Sequence, residues 1–335
     1  MYDLCAIGDA LVDFIPAPQY TPDKPVYQCE VGGTVANALT AGSKLGLSTL
    51  FVGKIGDDCM GQLIRNKMIS HGVSMEGCVV DPIHFTTQTF VSLGENGERS
   101  FSFARRFGAD IWLEESDLPM ERILQSSMVG FSGMCMTDEP IRSATWKLLR
   151  AVRAKEIPIV LDVNYRYNLW KNEEEAISAM RETLSYAALY KSSEEEAYLL
   201  AGVEDLQEAA EKIADYGCRI VIITLGGQGS YYYVNGESGH IPSYKVEAID
   251  TTGAGDSFFA GLLYQIKQRG GIENISAGDY PEILKFANAA GALAATKRGG
   301  VNGAPFLNEI EEFIKQYSQT HSVNNFKVQY KEEMK

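Results

Sequence analysis

Short apolar runs alternate with amphipathic stretches along most of this chain. That rhythm is expected when strands buried on both faces alternate with the helices that cover them. Apolar runs predict core strands at Leu4 to Gly8, Thr49 to Ile55, Met128 to Ser132, Pro158 to Val163, Ala188 to Lys191 and Ile220 to Leu225. Helical periodicity predicts Asn37 to Leu45, Met60 to His71, Pro140 to Ala154, Leu206 to Tyr216, Ser257 to Gln268 and Pro281 to Thr296. The expected class is α/β, a doubly wound and mostly parallel sheet with helices on both faces.

Two interruptions break the rhythm. Thr87 to Leu93 and Glu98 to Arg105 alternate polar with apolar residues around Asn96-Gly97, a strong short-range hairpin signal. With Leu11 to Ile15 and Val26 to Val31, that hairpin predicts a small antiparallel sheet beside the core. The pattern alone also fits a surface hairpin with no further role. Residues from about Ser318 to Lys335 are polar and charged, and are expected to fray after a terminal helix.

Composition narrows the class. A chain of 335 residues that is 45% hydrophobic can fill one large core plus an appendage. The net charge of −14 argues against nonspecific binding of nucleic acid, whose backbone attracts basic surface. Cys5, Cys29, Cys59, Cys78, Cys135 and Cys218 are scattered, with no Cys-x-x-Cys pair, and read as free thiols. The start, Met1-Tyr2-Asp3, lacks a basic stretch followed by an apolar one, and no run of about 18 apolar residues occurs. No membrane partner is expected, and the cytoplasm is the default compartment. His71, His84, His240 and His321 show no pairing suited to a metal or a nucleophile triad.

The chemistry concentrates in two glycine turns. Residues 250 to 256, Asp-Thr-Thr-Gly-Ala-Gly-Asp, lead into an apolar helix. Gly253 and Gly255 allow successive N–H groups, including that of Ala254, to converge on an anion at the helix start. A carboxylate at Asp256 repels a resting phosphate but can take a proton from an incoming hydroxyl. The same residues could serve simply as a helix N-cap. The second turn, Gly32-Gly33-Thr34-Val35-Ala36-Asn37, opens a helix with Asn37 able to donate to and accept from hydroxyls. Asp9 and Asp13 follow the first strand, and Asp162-Val163-Asn164-Tyr165-Arg166 closes another, at the edge where open α/β sheets collect ligands. Any of these charges could instead be solvated or locally paired. No Gly-x-Gly-x-x-Gly follows the first strand and no Gly-x-x-x-x-Gly-Lys-Ser/Thr string occurs, which disfavours dinucleotide and P-loop enzymes.

Taken in order, the two glycine motifs resemble the paired signatures of the ribokinase-like (PfkB) sugar kinase family, from Gly8 to about Pro305. The resemblance implies a ribokinase-like fold and ATP-dependent phosphorylation of a hydroxymethyl group, with Asp256 as base. It divides the chain into a core of residues 1–10, 33–85 and 110–317, a β lid of 11–32 and 86–109, and a tail of 318–335. The lid lies over the sugar and forms the dimer contact in several members. By the same resemblance, Asp13, Gly33, Asn37, Phe103, Arg105 and Arg166 would hold the sugar. Lys191, Glu196, Thr224, Gly226, Gly229 and Asn288 would line the ATP site. Glu196 would organise Mg2+ through water, although Ser193 replaces the family's asparagine. Asp250 and Thr252, with carbonyls of residues 297–303, would hold a monovalent cation, expected to be K+.

Three features resemble fructokinases in particular: Gly-Asp-x-x-x-Asp at 8–13, the Asp-Val-Asn-x-Arg strand, and Phe103-Ala104-Arg105 before Gly108-Ala109-Asp110. Aminoimidazole riboside kinase and 2-keto-3-deoxygluconate kinase are the alternatives within the class. A noncatalytic sugar-binding regulatory subunit is the alternative outside it, and it would have no need of an intact base and anion cradle.

Overall fold

A computed structural model describes the chain except residues 18, 22, 94–98 and 333–335. Its strands in chain order are β1 (Leu4–Ile7), β2 (Leu11–Pro16), β3 (Tyr27–Gly32), β4 (Thr49–Gly56), β5 (Ser74–Asp81), β6 (Gln88–Leu93), β7 (Arg99–Ala104), β8 (Val129–Ser132), β9 (Ile159–Asp162), β10 (Leu189–Ser193), β11 (Ile220–Thr224), β12 (Ser230–Val234) and β13 (Glu237–Ile241).

Nine strands form one sheet in the order β13-β12-β11-β10-β9-β8-β1-β4-β5. From β11 to β5 every pairing is parallel, and β12 and β13 add an antiparallel edge. Alternation along β1 shows why both faces need covering. Cys5 and Ile7 enter one core, packed with the helices Ile141–Ala154, Glu173–Leu184 and Leu206–Asp215. Leu4 and Ala6 enter the other, under the helices Thr34–Lys44, Cys59–Ser70, Ala254–Gln268 and Tyr280–Ala295.

Each expected core strand and helix is present within a few residues. The main shifts are at helix starts: Thr34 and Ala254 replace Asn37 and Ser257, because Gly33 and Gly253 act as the N-caps. The outlying strands β5, β12 and β13 and the helix Glu173–Leu184 go beyond the elements that the apolar pattern predicts. The closing helix runs without a break from Leu307 to Glu332, past Ser318 where fraying was expected. Polarity alone does not stop a helix, and this segment contains neither Pro nor Gly.

The lid is a separate four-stranded sheet, β3-β2-β6-β7. Its outer pairs are antiparallel, whereas the central strands β2 and β6 run parallel, pairing Val12 with Gln88, Asp13 with Thr89 and Phe14 with Phe90. The Asn96-Gly97 turn lies outside the described residues. The order of the large sheet reverses between β1 and β8, which opens a crevice beyond their carboxyl ends. The lid sits over that crevice.

Candidate active site

A cleft of about 730 Å3 lies between lid and core. β2 supplies Leu11 and Asp13, and β6 and β7 supply Thr89, Phe101 and Phe103; from below come Gly33, Asn37, Asn164, Arg166, Lys191, Glu196, Thr224 and the turn 248–256. Residues as far apart in sequence as Asn37 and Asp256 meet here, with Asn37 Nδ2 donating to Asp256 Oδ2 at 2.8 Å.

The turn before Asp256 is built by close approach. Gly253 has φ 76°, and a Cβ there would lie 2.6 Å from the Gly300 Cα, so a side chain would collide with backbone. Gly33, at φ 105°, leaves equally little room, since a Cβ would lie 2.8 Å from the Asp9 carbonyl oxygen. Asp9 itself accepts from the Thr34 amide at 2.8 Å, which makes it a support of the turn. The Ala254 amide donates to the Thr251 carbonyl at 3.1 Å and is therefore spent in the turn. Gly255 and Asp256 lie in the first helical turn, where amides have no intrahelical acceptor, and can still face an anion.

Asp256 is 7% exposed. Burial chiefly, and then the charge of Asp162, push its carboxyl up to about 7, against the opposing pull of Lys191, the Asn37 hydrogen bond and Arg166. Asp13 is likewise pushed up to about 7, by burial and then by Asp9. Lys191 Nζ lies 3.0 Å from both oxygens of Asp162. Burial opposes the ammonium, but Asp162, Glu196 and Asp256 outweigh it and raise Lys191 above the usual lysine range. The same ammonium stands 3.2 Å from where a Cβ on Gly255 would be, beside the helix start.

Glu196 lines the cleft as a fixed carboxylate, accepting from the Tyr165 amide at 2.6 Å and the Ser193 amide at 2.7 Å. Ser193 caps the helix Glu194–Ala201, a role serine fills as well as asparagine. Asp250 is buried, accepting from the Thr252 amide at 2.9 Å and the Gly299 amide at 3.0 Å. The buried side-chain oxygens of Asn37 and Asn164 have no hydrogen-bond partner, and Asn164 holds a left-handed backbone at φ 43°. Acceptors left unmatched in a cleft suit a ligand rich in hydroxyl donors.

Four expected residues lie elsewhere. Arg105, assigned to the sugar, is turned away from the cleft: Nε donates to Asp110 Oδ2 at 2.7 Å, Nη1 to Thr137 Oγ1 at 2.7 Å and Nη2 to the Met134 carbonyl at 3.0 Å. Asp110 also accepts from Thr87, so this cluster ties together the two ends of the β6–β7 excursion. The fork is held by these internal partners, and Arg105 is not among the residues that line the cleft. Asn288 donates to the Ile241 and Pro242 carbonyls at 3.1 and 3.3 Å. Gly229 packs against that same segment, and Gly226 borders open space, with nothing within 4 Å of where a Cβ on it would be. None of these three is among the residues that line the cleft. Asp162, Asn164, Thr89 and Phe101 also line the cleft, beyond the residues expected there. Asp162 and Asn164 carried a usable signal, since they close a strand next to Arg166.

All six cysteines are free. Among the described residues no helix is long and apolar enough to cross a membrane.

Known proteins share this arrangement. Fructokinase-1 of Oryza sativa subsp. japonica is 34% identical over 311 residues, 91% of this chain and 95% of the relative. The aminoimidazole riboside kinase of Salmonella typhimurium is 31% identical over 318 residues, 95% of this chain and 97% of the relative. Among solved structures, a fructokinase from Xylella fastidiosa with bound ATP superposes with TM-score 0.87 at 28% identity, over 95% of this chain and all of that one. A putative ribokinase II from E. coli in complex with ATP and Mg2+ gives 0.84 at 28%, over 94% and 100%. A fructokinase double mutant from Vibrio cholerae O395 with fructose, ADP and potassium ion bound gives 0.84 at 29%, over 93% and 98%. The model of the pfkB family of carbohydrate kinases matches residues 1–307, and the chain belongs to that family.

Proposed function

We propose that this protein is a fructokinase, transferring the γ-phosphoryl group of ATP to the 6-hydroxyl of D-fructose. The observation that carries the reading is Asp256: a buried carboxyl at a helix start, pushed up to about 7, held by Asn37 and facing a cleft roofed by Asp13. A base whose affinity for protons matches neutral pH is well placed to deprotonate an alcohol as it attacks.

In this reading the sugar lies between Asp13, Gly33, Asn37, Phe103 and Arg166, with Asn164 adding an acceptor. ATP extends past Lys191 and Thr224 toward Gly226, Gly229 and Asn288. The hydroxyl oxygen bonds to the γ-phosphorus, its proton passes to Asp256, the bond to the ADP oxygen breaks, and no covalent enzyme intermediate forms. The amides of Gly255 and Asp256 and the Lys191 ammonium offset charge building on the transferred group.

Among the described residues, the cleft lining carries the acids Asp9, Asp13, Asp162, Asp250, Asp256 and Glu196 against the cations Arg166 and Lys191. A polyphosphate entering that field requires cations of its own. Mg2+ supplies them when bound to the nucleotide, with Glu196 positioned to reach it through water. K+ fits the buried Asp250 behind the turn, with Thr252 beside it. The division into core (1–10, 33–85, 110–317), lid (11–32, 86–109) and tail (318–335) follows from the same reading. A cytoplasmic enzyme that dimerises through the lid also accords with it: Phe14 and Phe90 stack at 5.0 Å with Tyr27 edge-on, and Phe90 is 36% exposed.

The Salmonella relative keeps a riboside as the second reading. ADP release at fixed ATP, with D-fructose, aminoimidazole riboside, ribose and 2-keto-3-deoxygluconate, separates the two, with fructose expected to give the highest kcat/KM. Fructose trailing any of them tenfold would overturn the assignment, and no ADP release with any sugar would point to a binding subunit.

A further inference from the structure

Glu30 lies on β3 directly opposite Asp13 on β2. Residues facing each other across a strand pair project from the same side of the sheet, so one rung of the lid carries both side chains. Asp13 lines the cleft, whereas Glu30 accepts a hydrogen bond from Asn302 Nδ2, in the short helix Gly300–Gly303 of the core.

That segment borders the reacting end of the site. At its start, Gly299 donates to Asp250. Gly300 packs against both Gly253 and the Asn37 amide that binds Asp256. From the core side, Lys44 Nζ holds the Val301 and Ala304 carbonyls, each at 2.9 Å. The segment is therefore gripped from below by a core helix and from above by the lid. We propose that Glu30 and Asn302 are positioning residues, a latch by which a lid resting on the sugar through Asp13 holds segment 299–303 against the anion cradle. Sugar occupancy and alignment of the phosphoryl-accepting turn are thereby coupled through one hydrogen bond.

The inference rests on Asp13 facing the sugar, so its test must fail differently from that reading. Initial rates are measured for wild type, Glu30→Ala, Asn302→Ala, the double variant and Glu30→Gln, with D-fructose varied and with sugar omitted. Each alanine variant is expected to raise KM for fructose, and to raise sugar-independent ADP release relative to kcat, by about three- to tenfold. The double variant should be no worse than either single one, because both remove the same bond. Glu30→Gln keeps an acceptor oxygen and should stay within about twofold of wild type. Thermal midpoints should move little, since this contact is at the surface. Effects that multiply in the double variant, losses confined to kcat, failure of Glu30→Gln to restore coupling, or alanine variants indistinguishable from wild type would each overturn the latch. Inactive wild type on fructose would instead overturn the fructokinase assignment.

Discussion

Replacing Asp256 by asparagine tests the site through two quantities that move in opposite directions. Asparagine has nearly the same shape, and its carbonyl oxygen can still accept from Asn37 Nδ2, so the packing should survive. Loss of the base should lower turnover by ~10²–10⁴, about 3–5 kcal/mol of barrier. Stability should rise. A carboxyl raised from 3.8 to about 7 in the folded protein costs nothing below 3.8, costs progressively more as pH climbs, and reaches its full penalty above 7. At 1.36 kcal/mol per unit that penalty is about 4 kcal/mol. Urea unfolding of both proteins at pH 8 and pH 5 should show the variant more stable at pH 8 by a few kcal/mol, with the gain shrinking as pH falls. A variant no more stable than wild type at pH 8, or a gain independent of pH, would refute the electrostatic argument. Turnover near the wild-type value would remove Asp256 from the base role whatever the stability.

Other perturbations reach neighbouring parts of the site. Because Asp13 and Asp256 are both pushed up to about 7, kcat/KM for the sugar should climb with pH and level off above 7, and Asp13→Asn should reduce the steepness of that climb. Gly253→Ala forces a Cβ onto Gly300 in a left-handed turn, and should cost ~1–3 kcal/mol of stability and about 10²-fold in kcat through the displaced turn. Arg105→Met leaves Asp110 buried without its cation, and urea unfolding should show a loss of ~3–5 kcal/mol.

The fold was legible wherever a strand is buried on both faces. Runs such as Ile220–Thr224 have no solvent side to dilute their apolar character. β5 is a half-exposed edge, and its mixed sequence carries little of that contrast. In the site, Asp256 and Asn37 could be found because glycine turns mark where backbone must approach closely. Arg105 illustrates the opposite limit: an arginine at the end of a lid strand reads the same whether it meets a ligand or a buried acid. Only three-dimensional placement reveals that Asp110, Thr137 and Met134 engage all three of its nitrogens. The Lys191–Asp162 pair was hidden for a related reason, since its members sit on adjacent strands 29 residues apart and nothing local signals their contact.

The parallel pairing of β2 with β6 has a consequence for how the molecule assembles. Two chain excursions roughly 75 residues apart must find each other to complete the roof, and β4 and β5 are threaded through the core between them. Closing so long an intervening stretch is entropically expensive until that stretch has folded, so the roof should form late, upon an already organised floor. Once zipped, neither half can swing alone without tearing the rungs at Val12, Asp13 and Phe14. The two halves of the flap are therefore one sheet, joined to the core by four chain crossings.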